Sequence, residues 1–385
     1  MFAAAYAVNL IVANMKDVQE NVVCSCALAS IFLFRPKVAL GLVEKYGSAE
    51  EVFKVSCDEL MNLLGHEEIV QAVTGGEILA WAHEEVAWAL SKGVEILVHG
   101  NEAYPKLLEE CPDAPLVLYY RGNADLNRKQ IVSIVGTRLA SGYGKECCCK
   151  IIGHLSKFNC SPLIVSGLAY GIDVAAHKAA LECGLDTVAV LPCGIDTIYP
   201  SGHRNIAKQI LSQGGILTEY PRGIAPRKIN FIKRNRIIAG VSQGVIVVES
   251  RIKGGAMSTV EFANSYNRDI FAVPGRLNDT NSYGCNYLIS KNIAAVYANE
   301  TCVPLQMGWR SDHTASVALQ PNLFSFDGDN KEKIILSLKP DSPVCVEEIV
   351  AKSALSFDDV AFLLLELELE GRIVSLGGRG YCLRK

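Results

Sequence analysis

Five short apolar runs recur between residues 101 and 300: IVSIV (Ile131–Val135), PLIVS (Pro162–Ser166), TVAVLP (Thr187–Pro192), GVIVVES (Gly244–Ser250) and DIFAVPG (Asp269–Gly275). Each is rich in valine and isoleucine and ends at a polar, glycine or proline break. Runs of this length without polar alternation are strands buried on both faces, and the segments between them have helical length and pattern. Strand–helix alternation of this kind predicts an α/β fold, a Rossmann-like, doubly wound and mostly parallel sheet, over residues 101–300.

The flanks differ. Residues 21–100 are expected to form a small helical domain, with helical spacing in Lys37–Tyr46 and Ala49–Leu64 broken by Gly47 and Gly65. Residues 301–330 lack periodicity and are expected to be a linker. In residues 331–385, helical patterns over Lys331–Leu338, Val346–Ser353 and Phe357–Glu370 precede RIVSL, GGRG and YCLRK, which read as a hairpin. Three helices and a two-stranded wing predict a winged helix. Its helices carry Glu347, Glu348, Asp358, Asp359, Glu366, Glu368 and Glu370, so protein contact or packing is expected rather than duplex reading. Residues 1–20 are apolar with no basic residue before Lys16, which does not suit a secretory leader. They are expected to be a leader of uncertain order, with Met15 an alternative start. No later segment supplies about 20 uninterrupted apolar residues, so no membrane partner is expected.

The fourteen cysteines make no metal pattern: no CxxC pair occurs, and Cys147, Cys148 and Cys149 are consecutive. Three neighbours on a helix point in different directions and cannot share one ion. Reduced thiols of a cytoplasmic protein, used as small apolar residues, are the expectation; neither metal nor cofactor is expected.

Ligands of open α/β sheets sit at the carboxyl ends of the strands. The first two runs end in Gly136-Thr137-Arg138 and Ser166-Gly167-Leu168-Ala169-Tyr170-Gly171. Glycines admit an anion close to the backbone, and the following helix aims N–H groups at it. GTRLASGYG lacks the G-x-G-x-x-G spacing of a dinucleotide site, and no P-loop occurs at these turns. The tract PRGIAPRKINFIKRNRIIAG (Pro221–Gly240) then carries Arg222, Arg227, Lys228, Lys233, Arg234 and Arg236, with no carboxylate between Glu219 and Glu249. In a chain of net charge -4 this reads as a local cationic patch for a phosphate backbone. Phe231 within it offers a ring on which unpaired bases stack. A solvated helix face with Phe231 in the core is the alternative reading of the same run.

Ser166-Gly167-Leu168-Ala169-x-Gly171-Ile172-Asp173 with Ala176-His177, Leu191-Pro192-Cys193-Gly194-Ile195-Asp196 with Tyr199-Pro200, Glu219-Tyr220-Pro221, Arg234-Asn235-Arg236-Ile237-Ile238-Ala239-Gly240, and Phe271-Ala272-Val273-Pro274-Gly275 resemble, in order and spacing over about 200 residues, the DNA-processing protein A family, also called Smf. YPKLLEECPDAPLVLYYRGN resembles its lead-in, and helical and winged-helix extensions fit it. The resemblance implies a non-catalytic protein that binds single-stranded DNA in a basic pocket. It also implies a homodimer that loads RecA recombinase onto incoming strands in natural transformation. Carried over by position, Arg138 contacts DNA, Lys228 binds phosphate and Phe231 stacks on a base. Ser166 and Gly167 offer hydroxyl and backbone donors. Arg234, Asn235 and Arg236 shape the pocket floor, Asn235 chiefly by holding loops. Two departures stand out: Tyr170 where the family often carries a basic residue, and Ile232 in place of a common proline.

A second class competes. Lys253-Gly254-Gly255-Ala256-Met257-Ser258-Thr259-Val260-Glu261 resembles the GGxGTxxE loop of lysine-decarboxylase-like phosphoribohydrolases, in which the glutamate helps cleave a glycosidic bond. On that reading the Gly254–Glu261 loop is catalytic, and Asp173 and His177 are candidates for proton transfer.

Overall fold

Each of the five apolar runs forms a strand of one nine-stranded sheet in the computed structural model, which describes residues 20–157, 161–309, 328–338, 342–376 and 380–383. The strands are β1 (Glu95–Val98), β2 (Val117–Gly122), β3 (Ile131–Val135), β4 (Leu163–Ser166), β5 (Thr187–Val190), β6 (Gly214–Thr218), β7 (Gly244–Val247), β8 (Asp269–Ala272) and β9 (Ala295–Val296). Their order is β1-β2-β6-β5-β4-β3-β7-β8-β9, parallel from β6 to β9, with β1 and β2 antiparallel. The helices of this part are α1 (residues 20–31), α2 (Pro36–Tyr46), α3 (Ala49–Val52), α4 (Cys57–Leu64), α5 (Glu67–Thr74), α6 (Glu77–Ser91), α7 (Lys106–Glu109), α8 (Gly142–Leu155), α9 (Ile172–Glu182), α10 (Arg204–Ser212), α11 (Lys228–Gly240), α12 (Gly255–Ser265), α13 (Tyr283–Ser290) and α14 (Cys302–Gln306).

Alternation of side chains divides the core between the two faces of the sheet. Val132, Ile134 and Ile164 pack with Cys148 and Ile152 of α8 and with Ala176 of α9. Ile131, Val135 and Val165 pack on the other face with Ile237 and Ile238 of α11 and Val260 of α12. Burial on both sides is why these strands read as unbroken apolar runs. Strand β6 escaped that reading because it opens with Gly214-Gly215. A Cβ at Gly215 would lie 2.4 Å from the ring of Tyr120 on β2, so the neighbouring strand requires glycine there.

The expected helical domain is not separate from the sheet. Residues Met1–Asp312 cluster as one unit and His313–Lys385 as another. Strand β1 falls within the stretch expected to be helical. Val98, Val117 and Tyr119 of the sheet's antiparallel edge share a core with Leu28, Leu42 and Ala82 of the amino-terminal helices. Two polar clamps add to this. Arg222 approaches the fully buried Glu85 of α6 through its side chain (2.8 Å) and its backbone N–H (2.9 Å). Lys233 donates to the Phe34 carbonyl at 2.8 Å. The single helix expected over Ala49–Leu64 is two, because the Ser56 side chain accepts from the Glu59 N–H and caps a new start at α4.

The second unit contains α15 (Gly328–Ser337), α16 (Val346–Ser353), α17 (Phe357–Leu369) and the antiparallel pair β10 (Ile373–Ser375) and β11 (Tyr381–Leu383). Its core gathers Ile334, Ile349, Leu363, Leu367 and Ile373. This is the expected winged helix. The GGR of its hairpin (377–379), the first 19 residues and most of the expected linker lie outside the described residues.

Among the described residues, no helix is long and apolar enough to cross a membrane, and no group of three His, Cys, Asp or Glu residues could hold a metal ion. Cys24, Cys26, Cys111, Cys148, Cys193 and Cys285 are buried free thiols, in keeping with the apolar use expected for them.

Candidate nucleic-acid interface

The sheet builds outward from β3 in two directions, through β4, β5 and β6 on one side and through β7, β8 and β9 on the other. The reversal between β3 and β7 opens a crevice at the carboxyl ends of the strands. Two turns line it. After β3, the Thr137 N–H donates to the Glu249 carbonyl (2.7 Å), and Ser141 donates its N–H (2.9 Å) and hydroxyl (2.5 Å) to the Glu249 carboxylate. Ser141 also caps α8 by accepting from the Gly144 N–H. Glu249, just beyond β7, thereby fixes the turn that presents exposed Arg138.

After β4, the chain turns through Leu168 (φ +58°) and Gly171 (φ +79°) into α9. A Cβ at Gly171 would lie 2.1 Å from the Thr137 carbonyl oxygen, so the two turns touch backbone to backbone. Tyr170, between Leu168 and Gly171 in the second turn, is 53% exposed. The buried Ser166 hydroxyl donates to the Ile134 carbonyl at 2.6 Å; it joins β4 to β3 and does not face a ligand. Gly167 is also buried, and its Cα packs directly on the Arg234 guanidinium.

The basic tract forms α11 from Lys228 onward, with Arg222 and Arg227 ahead of the helix, and divides into internal and external charges. Arg234 is buried and donates to the Val190 carbonyl at 2.8 Å. Burial pushes its pKa down to about 10, so it stays charged at neutral pH beneath the second turn. Burial pushes the carboxyl of nearby Asp173 up, against the opposing charges of Arg234 and Arg138. Arg236 is buried against Glu219 and donates to the Asp113 carbonyl at 2.6 Å. Asn235 bonds the Gly255 carbonyl (3.2 Å) and the Ser258 hydroxyl (2.9 Å), a loop-holding role that ties α11 to the start of α12. With Arg222 and Lys233 clamped to the amino-terminal helices, four of the six cations between Arg222 and Arg236 make internal contacts. Arg227 and Lys228 are exposed.

The surface group that results is compact. Lys228 and Phe231 are one turn apart on α11 and share a face. The first turn of α11 has no side-chain cap. The Arg138 guanidinium carbon lies 4.7 Å from the Phe231 ring centroid, and the Tyr199 ring meets Phe231 edge-on at 5.5 Å. Arg138, Lys228 and Phe231, from two separate segments, are thus brought to one place. Arg236 is not, and Ser166, Gly167, Arg234 and Asn235 lie beneath or behind it. Sequence reasoning assigned no role to Glu249, Tyr199 or His203; of these only Tyr199 had a signal, as half of a Tyr-Pro pair.

The competing reading draws on the Gly254–Glu261 stretch at the start of α12 and on Asp173 and His177 of α9. Glu261 is exposed on α12, and Ser258 is engaged with Asn235. His177 is fully buried, with Nδ1 2.7 Å from the Thr187 hydroxyl, which itself donates to the Ile164 carbonyl. The hydroxyl proton being spent, His177 must donate through Nδ1, which leaves Nε2 buried without a partner. Burial pushes this imidazole from 6.5 down to about 3. Below pH 6.5 the unfolded chain takes up a proton that the folded chain refuses, so stability present above that pH is lost as pH falls toward 3. Between pH 6.5 and 5 the loss is about 2 kcal/mol. His177→Gln should lack this component, as urea midpoints of both proteins at pH 7 and pH 5 will show. Equal losses in the two proteins would mean that His177 accepts its proton while folded.

A family model described as DNA recombination-mediator protein A matches residues 95–305, from the start of β1, and one for the DprA winged helix domain matches residues 325–379. Protein Smf of Synechocystis sp. is 35% identical over 330 residues, 75% of this chain and 80% of that protein. The X-ray structure of DNA processing protein A from Streptococcus pneumoniae matches with a TM-score of 0.61 at 32% identity, over 73% of this chain and 95% of that one. A structure of DNA processing protein A from Helicobacter pylori, studied for its single-stranded DNA binding mode, matches with a TM-score of 0.50 at 32% identity, over 56% of this chain and 95% of that one.

Proposed function

The chain belongs to the DNA recombination-mediator protein A family, and on that premise we propose that it binds single-stranded DNA along the Arg138–Phe231–Lys228 face without catalysing a reaction. The observation that carries this reading is the guanidinium of Arg138 resting on the Phe231 ring, with Lys228 one helical turn away. A base that takes this face of the ring moves the guanidinium onto its own phosphate, so a stack and an ion pair form together. Lys228 and the uncapped N–H groups of α11 meet the next phosphate. Buried Arg234 holds positive potential below the turn without touching the strand. Stacking and phosphate contact are indifferent to base identity, so the protein should accept any unpaired sequence.

Mobility shifts with single- and double-stranded oligonucleotides over a salt series test this. Single strands should be retained preferentially. Arg138→Ala and Lys228→Ala each remove one cation from a phosphate, so in each variant the slope of log affinity against log salt should flatten by about 0.7. Phe231→Ala should cost roughly 1–3 kcal/mol with little change in slope. Equal retention of duplex, or unchanged slopes in both cation variants, would overturn the reading.

The family resemblance extends the proposal to a cytoplasmic homodimer that protects incoming strands and loads RecA recombinase in transformation or recombination. With RecA present, the wild type should accelerate filament assembly on single strands, and Phe231→Ala should not. The phosphoribohydrolase reading is not favoured. It requires an acid–base group at a substrate, whereas Glu261 is exposed on α12 and His177 is sealed in the core.

A further inference from the structure

Tyr170 and His203 complete a circuit with the residues above. Gly171 sets Tyr170 beside the backbone of Thr137 and Arg138. Arg138 lies on Phe231, and Phe231 meets Tyr199. Tyr199 leads through a short turn to His203, and the His203 ring meets Tyr170 edge-on, centroids 4.9 Å apart at 70°. His203 is itself fixed: Nδ1 is 2.8 Å from the Leu168 carbonyl, and because a carbonyl only accepts, Nδ1 carries the proton. The imidazole therefore ties the loop after β5 to the turn after β4 and braces the Tyr170 ring.

We propose that Tyr170, braced by His203, is a second base-stacking station, occupied by a different nucleotide of the strand whose base stacks on Phe231; this rests on the reading of that face as a single-strand site. An edge-on pair covers at most one face of the Tyr170 ring, and more than half of the residue stays open to solvent. Tyr170 is half-exposed in this arrangement, and Tyr199, against Phe231, is 39% exposed. Exposed aromatic rings next to cations fit a polynucleotide better than an apolar partner, because a base offers a π-face and its phosphate neutralises the cation. A tyrosine adds no charge. It strengthens binding through the base and leaves the ion pairs with phosphate as they were.

The test uses the full chain with oligothymidylates of roughly 4 to 16 nucleotides, the range of single-strand site sizes. Tyr170→Ala should weaken binding of the longer strands roughly 5- to 150-fold with the salt slope unchanged. Tyr170→Trp should recover most of that loss. On strands carrying abasic sites throughout, wild type and Tyr170→Ala should bind alike, because no base remains to stack. Wild-type binding that Phe231→Ala weakens and Tyr170→Ala does not would overturn the second station alone. Failure of the wild type to bind any single strand would overturn the functional reading and this inference with it.

Discussion

Arg236→Ala should destabilise the unit containing the sheet by about 3–5 kcal/mol, the cost of leaving one member of a buried ion pair without its partner. Glu219 and Arg236 are each about 95% buried and face one another where β6 ends and α11 crosses. Burial pushes the Glu219 carboxyl up and Arg236 opposes that, so removal of the arginine leaves a carboxylate that must either take a proton or remain charged in the core. The Asp113 carbonyl would lose its donor as well. Replacing both charges, as Arg236→Met with Glu219→Leu, should recover most of the stability, since an apolar pair of similar volume is often neutral or better than a buried ion pair. Urea titration of the single and double variants measures the coupling. An Arg236→Ala protein of unchanged midpoint that had lost its affinity for single strands would return Arg236 to the interface, where its position in the basic tract had suggested it belonged.

Gly171→Ala should damage the interface more than any single side-chain truncation. Its φ of +79° and ψ of -123° suit glycine alone, and the added Cβ would lie 2.1 Å from the Thr137 carbonyl oxygen and 2.7 Å from that of Arg138. The conformational strain alone is about 1–3 kcal/mol. Neither backbone atom can swing aside as a flexible side chain would, so the turns carrying Arg138 and Tyr170 must separate. Removing one charge-assisted hydrogen bond corresponds to roughly 10- to 100-fold weaker binding, and both stations move together here. The wild-type affinity in a Gly171→Ala protein, measured on the same oligonucleotides, would show that the two turns act independently.

Much of the fold was legible because it is written locally. Ile131–Val135 and Gly244–Val247 are apolar at every position or nearly so, and only a strand covered on both faces uses such a run. Gly47 and Gly65 stop helices by taking the left-handed conformation at their ends. Strand β6 was illegible because its glycines answer to Tyr120, 94 residues away in the chain. The helix expected over Ala49–Leu64 divided because Ser56 competes locally for the backbone. Of the proposed interface, Arg138, Lys228 and Phe231 were singled out by turns, charge and family pattern, and the structure places Arg138 on the Phe231 ring with Lys228 one turn away. The place of Arg236 was not, since a basic run reads alike whether its side chains point in or out.

The layered sheet, the two glycine turns at strand ends and the winged helix can be read from the chain alone, because strand burial, turn conformation and helix periodicity each depend on neighbours within a few residues. Which cations of α11 face solvent, and that Arg138, Phe231, Tyr199, His203 and Tyr170 close into one circuit, emerges only from the packed fold. A helix distributes consecutive side chains around its axis, and α11 is packed on most of its circumference, so carboxylates and carbonyls from distant segments claim most of its charges. The circuit joins four separate stretches of chain, and contacts of that kind leave no mark on any one of them.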